Sequence, residues 1–332
     1  MKRTILTAAT VLLAAAAANA QTKHDMKCGF VTVNDSQHRS AEIFKDKIAK
    51  KTGGAVDVRI FPLAQLGTIP RQVEGVQLGT QECFISPPGF FVGLNQAFQA
   101  PDAPALFESQ IHQHRSLNHP TVRDKFLALA SHAGIVGNYT WSAGATAVAS
   151  RRPIKTLGDF NGRKIRVLAT KMEIATLKTV GATGIPMPYS EVLPALQRKG
   201  IDGVRSGIIV MGPSKFYTVA KYIYNEKSAF IPSGMWLNRK WLDSLPKAHR
   251  AAIFEVGKEM GDITVKIAIE ITAKWEKLWG EKGGTVTEPT AADRAELFRR
   301  VRPLGDEFLG KNPKIAPMYK LIKAAAAATA GK

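Results

Sequence analysis

The chain has 332 residues, of which 45% are hydrophobic and 22% are charged. This balance is typical of a folded globular protein and excludes a disordered chain. Lysine and arginine total 46 against 27 aspartate and glutamate residues, which gives a formal net charge of +19. The basic residues are scattered and form no aromatic-laced stripe, so we expect a solvated basic surface and no nucleic-acid partner.

The first twenty residues have the pattern of a secretory signal peptide. Lys2 and Arg3 precede a short apolar stretch that ends in Ala-Asn-Ala at 18–20. A charged start, an apolar core and small residues before the cleavage site are the parts of such a peptide. We therefore expect residues 1–20 to be removed and the protein to be exported. A membrane anchor is the alternative, but the stretch is short for a bilayer.

Strand and helix patterns alternate through the first half of the mature chain. The segment KCGFVTV is strand-like, a helix pattern follows it and stops at the glycines of 53–54, and VDVRIFP alternates as a second strand. A turn and an amphipathic helix pattern then lead to ECFISPP, a third strand. Strands alternating with helices predict parallel pairing, with ligand chemistry at the carboxyl ends of the strands.

The length favours two domains over one. We assign residues 21–141 plus about 228–260 to a first α/β lobe, and 142–227 plus about 276–322 to a second. The helical pattern over about 246–281 is too long for one small domain, so we expect it to bridge both lobes. The predicted fold class is α/β, a two-lobe clamshell with a sheet in each lobe, and the Ala-rich tail at 323–332 is expected to be disordered.

Two cysteines and a group of histidines raise the question of a bridge or a metal site. Cys28 and Cys83 both lie in apolar strand-like segments. They form either one bridge between neighbouring strands or two buried thiols, and their spacing does not decide between these. His112, His114 and His119 lack an acid or cysteine that would complete a coordination set, so we expect no metal.

Arg166 is the most informative residue. It lies in the strand-like run GRKIRVL at 162–168, where an unpaired charge would be expensive, so its guanidinium needs an anionic partner. A fixed cation at this position suits a small carboxylate ligand. The alternative is a structural ion pair between this strand and a neighbouring helix.

An ordered set of motifs between residues 142 and 260 resembles the solute-binding subunits of TRAP transporters, the DctP-like family. The motifs are RKIRV at 163–167, PYSEVLPALQ at 188–197, IDG at 201–203 and KFYTVAKY at 215–222. KKTGGAVDVRIFPLAQLG at 50–67 is similar to the family's amino-terminal signature. The likeness extends from about residue 28 to residue 320.

The resemblance implies a periplasmic-binding-protein clamshell that closes on an organic acid and delivers it to an ion-coupled TRAP permease. It implies no enzymatic activity and no cofactor, and we expect a monomer. Arg166 falls on the arginine that pairs with the ligand carboxylate in this family. Tyr189 falls on the aromatic residue that packs beside the ligand.

The chain also departs from the family pattern. Thr146 stands where the sialic-acid-binding branch carries a second arginine, and Arg205 and Ser206 stand where many members carry an acid followed by asparagine. Apolar groups in the loop at 86–91 favour an apolar or aromatic monocarboxylate, including 2-oxo and 2-hydroxy acids, over a polyol. The alternative is a ligand with two carboxylates, the second of which binds Arg205. The predicted ligand-binding residues are Arg166, Tyr189, Ser206, Arg205, Thr146, Ser36, Pro87, Phe90, Phe91 and Trp236.

Several of these residues have an alternative role that is purely structural. Ser36 follows the first strand and has the character of a helix cap, and the aromatic residues are of the kind that fill protein cores. Signatures of hydrolases such as G-x-S-x-G and H-E-x-x-H do not occur in the sequence. A periplasmic hydrolase or lyase of similar two-lobe form, and a ligand sensor that docks a signalling receptor, remain the alternative functions.

Overall fold

The structure is a computed structural model that describes residues 23–331, so the predicted signal peptide lies outside the described residues. Eleven strands in this part of the chain form two separate sheets, one in each lobe. The strands are β1 (His24–Gly29), β2 (Val56–Phe61), β3 (Cys83–Ser86), β4 (Ile135–Ala145), β5 (Ala147–Ser150), β6 (Lys164–Val167), β7 (Thr183–Pro186), β8 (Gly203–Ser206), β9 (Tyr222–Tyr224), β10 (Phe230–Asn238) and β11 (Thr285–Thr287).

The first lobe is built on a five-stranded sheet with the order β2-β1-β3-β10-β4. β1 is parallel to both β2 and β3, as the alternation of strands and helices predicts. β10 returns from the second lobe and pairs antiparallel with β3 and β4. This return explains why the first lobe contains two segments that are distant in the chain.

The second lobe is built on a six-stranded sheet with the order β11-β9-β5-β8-β6-β7. β6 is parallel to β7 and β8, and Arg166 on β6 is the register partner of Ile185 and Val204. β5 runs antiparallel to β8 and β9. The parallel trio directs three strand ends toward the first lobe, which is where a ligand site is expected in such sheets.

Eleven α-helices among the described residues cover the sheets. They are α1 (Ser36–Lys51), α2 (Ile69–Leu78), α3 (Gln110–Leu117), α4 (Arg123–Leu127), α5 (Lys171–Lys178), α6 (Tyr189–Gln197), α7 (Ile208–Met211), α8 (Arg239–Ser244), α9 (Lys247–Glu281), α10 (Ala291–Leu304) and α11 (Ala316–Thr329). No helix within residues 23–331 combines the length and the apolarity needed to cross a bilayer.

The start of α1 is fixed by a side-chain cap. Asp35 accepts hydrogen bonds from the backbone N–H groups of Gln37 and His38, at 3.1 Å each. These bonds satisfy donors that the first turn of a helix leaves without partners. The cap is therefore Asp35, and Ser36 is the first residue of the helix.

α9 spans 35 residues and touches both lobes. Near its start, the carbonyl of Ile253 accepts a hydrogen bond from Asn138 on β4 of the first lobe. Near its end, the Trp279 indole donates to the carbonyl of Lys221 in the second lobe, at 2.8 Å. The helix therefore bridges the lobes.

The end of the chain differs from the sequence-based expectation. α11 continues to Thr329, and its Ile322 and Ala325 are fully buried. The Thr329 hydroxyl lies 2.9 Å from that of Ser116 on α3, so the helix packs on the first lobe and not on the second. Ile322, Ala325, Ala326 and Thr329 recur at helical spacing and supply a buried face, so residues 323–329 are helical.

Two short crossovers connect the sheets. Thr146 separates β4 of the first sheet from β5 of the second, and residues 225–229 lead back from β9 to β10. The two segments are tied by backbone hydrogen bonds, from the N–H of Thr146 to the carbonyl of Ala229 and from the N–H of Lys227 to the carbonyl of Thr146, at 2.9 Å each. Since few residues separate the lobes here, this is where they would pivot.

A disulfide joins the first and third strands of the first sheet. Cys28 and Cys83 are register partners on β1 and β3, and their sulfur atoms are bonded. The bridge closes a loop across 55 residues and removes conformations from the unfolded chain.

Replacing both Cys28 and Cys83 with alanine should lower the free energy of unfolding by about 2 to 4 kcal/mol, because the unfolded chain regains the entropy of that loop. Urea unfolding followed by circular dichroism measures the change. An oxidised protein with the same unfolding midpoint as the double variant would contradict the structural role of the bridge.

Candidate functional site

A cavity of about 40 Å³ lies between the two lobes. Both lobes contribute to its wall, and most of its lining is apolar. Arg166 is the one charged side chain among the described residues that line it. The lining residues are Val31, Thr32, Gln37, Ile69, Pro87, Phe90, Ala143, Arg166, Leu168, Tyr189, Ser206, Gly207, Ile209, Val210 and Ile231.

Arg166 is nearly fully buried, with 1% of its surface exposed. Its Nε donates a hydrogen bond to the carbonyl of Met187 at 2.9 Å, which fixes the base of the guanidinium. Within residues 23–331, no carboxylate forms an ion pair with Arg166, although other buried arginines have such partners. Its two terminal amino groups therefore remain available to an anion in the cavity.

The buried surroundings of Arg166 disfavour its charged form. Burial lowers the pKa of Arg166 to about 10, while Tyr189 and Glu173 partly offset that effect. The group remains cationic at neutral pH because this value lies well above 7. A buried cation without a counter-charge is costly, and a bound carboxylate would remove that cost through charge-assisted hydrogen bonds.

Tyr189 stands beside Arg166 at the start of α6. The Arg166 guanidinium carbon lies 5.8 Å from the centre of the Tyr189 ring, and the ring stacks on Phe216 at 5.4 Å. The Tyr189 hydroxyl donates to the carbonyl of Val210 at 2.8 Å and lies 3.1 Å from the Ser214 hydroxyl. Its hydroxyl is thus engaged by the second lobe, while Tyr189 also contributes to the cavity wall.

Five of the ten predicted ligand-binding residues line the cavity. Arg166, Tyr189 and Ser206 come from the second lobe, and Pro87 and Phe90 come from the loop after β3 of the first lobe. Their convergence follows from the strand order, since the carboxyl ends of parallel strands meet at one edge of each sheet.

The other five predicted residues lie elsewhere. Ser36 is fully buried, and its hydroxyl accepts a hydrogen bond from the Trp141 indole at 3.2 Å. Phe91 and Trp236 are fully buried and pack against each other with ring centres 5.1 Å apart. Both belong to the aromatic core of the first lobe, where large rings contribute the most buried area.

Arg205 and Thr146 form part of a buried polar cluster and are absent from the cavity wall. Arg205 pairs with Glu173 at 2.5 Å and with Glu226 at 2.7 Å, and its guanidinium donates to the Thr146 hydroxyl at 3.0 Å. Adjacent residues of a strand point to opposite faces of a sheet. Ser206 on β8 therefore reaches the cavity, while its neighbour Arg205 points away from it.

The Arg205 cluster lies at the crossovers. Glu226 and Thr146 belong to the two segments that connect the sheets, and Arg205 also donates to Ser228 at 3.2 Å. Although burial opposes its charge, Glu173 and Glu226 hold the pKa of Arg205 above its ordinary value. The cluster thus fastens the second sheet to both crossovers, which is a structural role.

The sequence did not predict most of the first-lobe residues that line the cavity. Thr32 and Gln37 are the polar members of this group, and Ile69, Ala143 and Ile231 are among the apolar ones. A signal for Gln37 was present, because it directly follows the cap cluster at the end of β1, where ligand-facing residues are expected. Nothing in the local pattern distinguishes the apolar members from core residues.

A family comparison agrees with the geometry of two lobes around a buried cation. The model of the bacterial extracellular solute-binding protein family 7, DctP, matches residues 29–312. The chain belongs to this family, whose members are the substrate-binding components of TRAP transporters and are not enzymes.

Individual relatives show the same likeness. The chain is 31% identical to the 2,3-diketo-L-gulonate-binding periplasmic protein YiaO of Escherichia coli over 316 residues, covering 93% of this chain and 94% of the relative. It is 27% identical to the C4-dicarboxylate-binding periplasmic protein DctP of Rhodobacter capsulatus, with 81% of each covered. The crystal structure of a TRAP periplasmic solute-binding protein from Desulfovibrio salexigens with bound orotic acid superposes with a TM-score of 0.87 at 25% identity, covering 92% and 100%.

Replacing Arg205 with methionine should destabilise the protein by about 3 to 5 kcal/mol, because two buried carboxylates lose their shared counter-charge. Urea unfolding measures the loss. Arg71→Met is the control, since Arg71 forms an exposed pair with Glu74 and should change stability by no more than about 0.5 kcal/mol. Equal effects of the two substitutions would refute the structural role of the cluster.

Asp102 makes stability depend on pH. Burial, together with the nearby charge of Glu173, raises the pKa of Asp102 from 3.8 to about 8. The folded protein therefore binds this proton more readily than the unfolded chain, so the contribution of Asp102 to stability grows as pH falls from about 8 and is complete below about 4.

Asp102→Asn should remove this component of the pH dependence. The measurement is urea unfolding of wild type and variant between pH 5 and pH 9, with Asp46→Asn at an exposed helix position as the control. Stability differences between wild type and Asp102→Asn that stay constant over this range would contradict the assignment.

Proposed function

We propose that this protein captures a small organic carboxylate between its lobes in the periplasm and delivers it to an ion-coupled TRAP permease. The single observation that carries the proposal is the buried guanidinium of Arg166, which lines the cavity and pairs with no carboxylate in residues 23–331. The relatives that bind diketogulonate, C4-dicarboxylates and orotic acid support an acidic ligand.

The ligand that the wall favours is an apolar or aromatic monocarboxylate, including 2-oxo and 2-hydroxy acids. Ile69, Phe90, Ile209 and Ile231 offer no hydrogen bonds to a polyol, and hydroxyl groups placed against them would lose their water partners.

Capture and release require no chemistry on the ligand. A carboxylate held by Arg166 in the second lobe gains contacts with the first lobe only when the lobes close, so ligand binding shifts the population toward the closed form. The closed form is then the one expected to engage the permease. Ser206 and Tyr189 take no catalytic part, since no histidine or carboxylate lines the cavity in the described part of the chain.

Replacing Arg166 with alanine should weaken carboxylate binding by about 2 to 5 kcal/mol, because the ligand anion would be buried without its partner. Isothermal titration calorimetry with the best-binding member of a carboxylate panel measures the loss. Arg152→Ala is the matched control, since the Arg152 side chain is 69% exposed on the same lobe. Unchanged affinity in Arg166→Ala would overturn the proposed role.

A thermal-shift screen tests the class of ligand. Branched and aromatic monocarboxylates should raise the melting temperature, because only compounds that bind the folded state preferentially stabilise it. The screen should include sialic acid, succinate and hexuronates as comparison compounds. Stabilisation restricted to those comparison compounds would count against an apolar site.

A further inference from the structure

A buried oxygen atom without a hydrogen-bond partner lies on the first-lobe side of the cavity. Gln37 lines the cavity and is 4% exposed, and its Oε1 has no hydrogen-bond partner within residues 23–331. Thr32 also lines the cavity, but its hydroxyl interacts with the Asp35 carboxylate. Because buried polar atoms are usually paired, and because Gln37 lies on the cavity wall, a ligand group is a partner within its reach.

The position of Gln37 is set by the backbone. Its N–H is held by the capping carboxylate of Asp35, which places its side chain in the first turn of α1. Arg166 contributes to the wall from the second lobe, so the ligand lies between a cation on one side and oxygen atoms on the other. A carboxylate bound to Arg166 leaves the rest of the ligand facing Gln37.

We propose that Gln37 accepts a hydrogen bond from a hydroxyl or N–H group of the ligand and so selects carboxylates that carry such a donor. This inference rests on the proposed function, because it takes the ligand carboxylate to be held by Arg166. It narrows the ligand class to monocarboxylates with one donor group at the end that faces the first lobe.

The cavity wall offers no partner for a second carboxylate. Arg166 is the one cation among the described residues that line it, and Arg205 is paired with Glu173 and Glu226 away from it. A dianion would bury its second charge without a counter-charge, which disfavours C4-dicarboxylates.

Pairs of carboxylates that differ by one donor test the proposal. The probes are 3-hydroxybutyrate against butyrate and 4-hydroxybenzoate against benzoate, with succinate as the dianion. Calorimetry should show that the hydroxylated member of at least one pair binds about tenfold or more tightly than its partner. Succinate should bind more weakly than that hydroxylated member.

A substitution tests the role of Gln37. Gln37→Met removes the amide acceptor while keeping a side chain of similar length, so the preference for the hydroxylated probe should vanish. Gln72→Met is the control, because Gln72 is a buried glutamine of the same lobe that does not line the cavity.

The outcomes distinguish this inference from the proposed function. Binding that needs Arg166 but shows no preference within either pair, or a preference that survives Gln37→Met, overturns the role of Gln37 alone. If no probe binds, or if binding is unchanged in Arg166→Ala, the proposed carboxylate site fails as well.

Discussion

The structure depends on how two buried arginines from neighbouring strands are neutralised. Arg205 has two glutamates within hydrogen-bonding distance, so its charge is compensated by the protein itself. Arg166 has a backbone carbonyl and an aromatic ring, so its charge is compensated only in part. Arg205 therefore needs no ligand to balance its charge, whereas an anion that enters the cavity would balance the charge of Arg166.

Under the proposed function, this difference favours closure of the lobes on a ligand. The cation belongs to the second lobe, while much of the apolar wall and the unpaired Oε1 of Gln37 belong to the first. A ligand that touches both walls would bury its apolar surface and satisfy its polar groups. The Arg205 cluster fastens the second sheet to the two crossovers.

Much of the architecture could be predicted because it rests on local periodicity. Alternating strand and helix patterns indicated an α/β fold, and the long pattern that became α9 indicated a helix touching both lobes. The family and its binding function are confirmed by the match over residues 29–312. The presence of Arg166 at the cavity could be anticipated because a strand interior leaves a guanidinium few other partners.

What could not be predicted depends on contacts between distant segments. The sequence does not reveal that Glu173 and Glu226 reach Arg205, because the three residues are distant in the chain and come together only in the fold. It also does not show which apolar residues face the cavity and which face the core, since Phe90 and Phe91 have the same character and only their placement differs.

Glu173 precedes Arg205 by 32 residues, and Glu226 follows it by 21. Neither interval matches a helical or strand repeat that would place the three side chains together, so only the folded arrangement of α5, β8 and the second crossover brings them into contact.

The return of α11 to the first lobe has a practical consequence for observing motion. The chain passes through the second lobe and then ends against α3, where Thr329 and Ser116 are in contact. A fluorophore attached at the carboxyl terminus would therefore report the position of the amino-terminal half. Paired with a second dye on an exposed site such as Arg152, it would register opening and closing as a change in energy transfer.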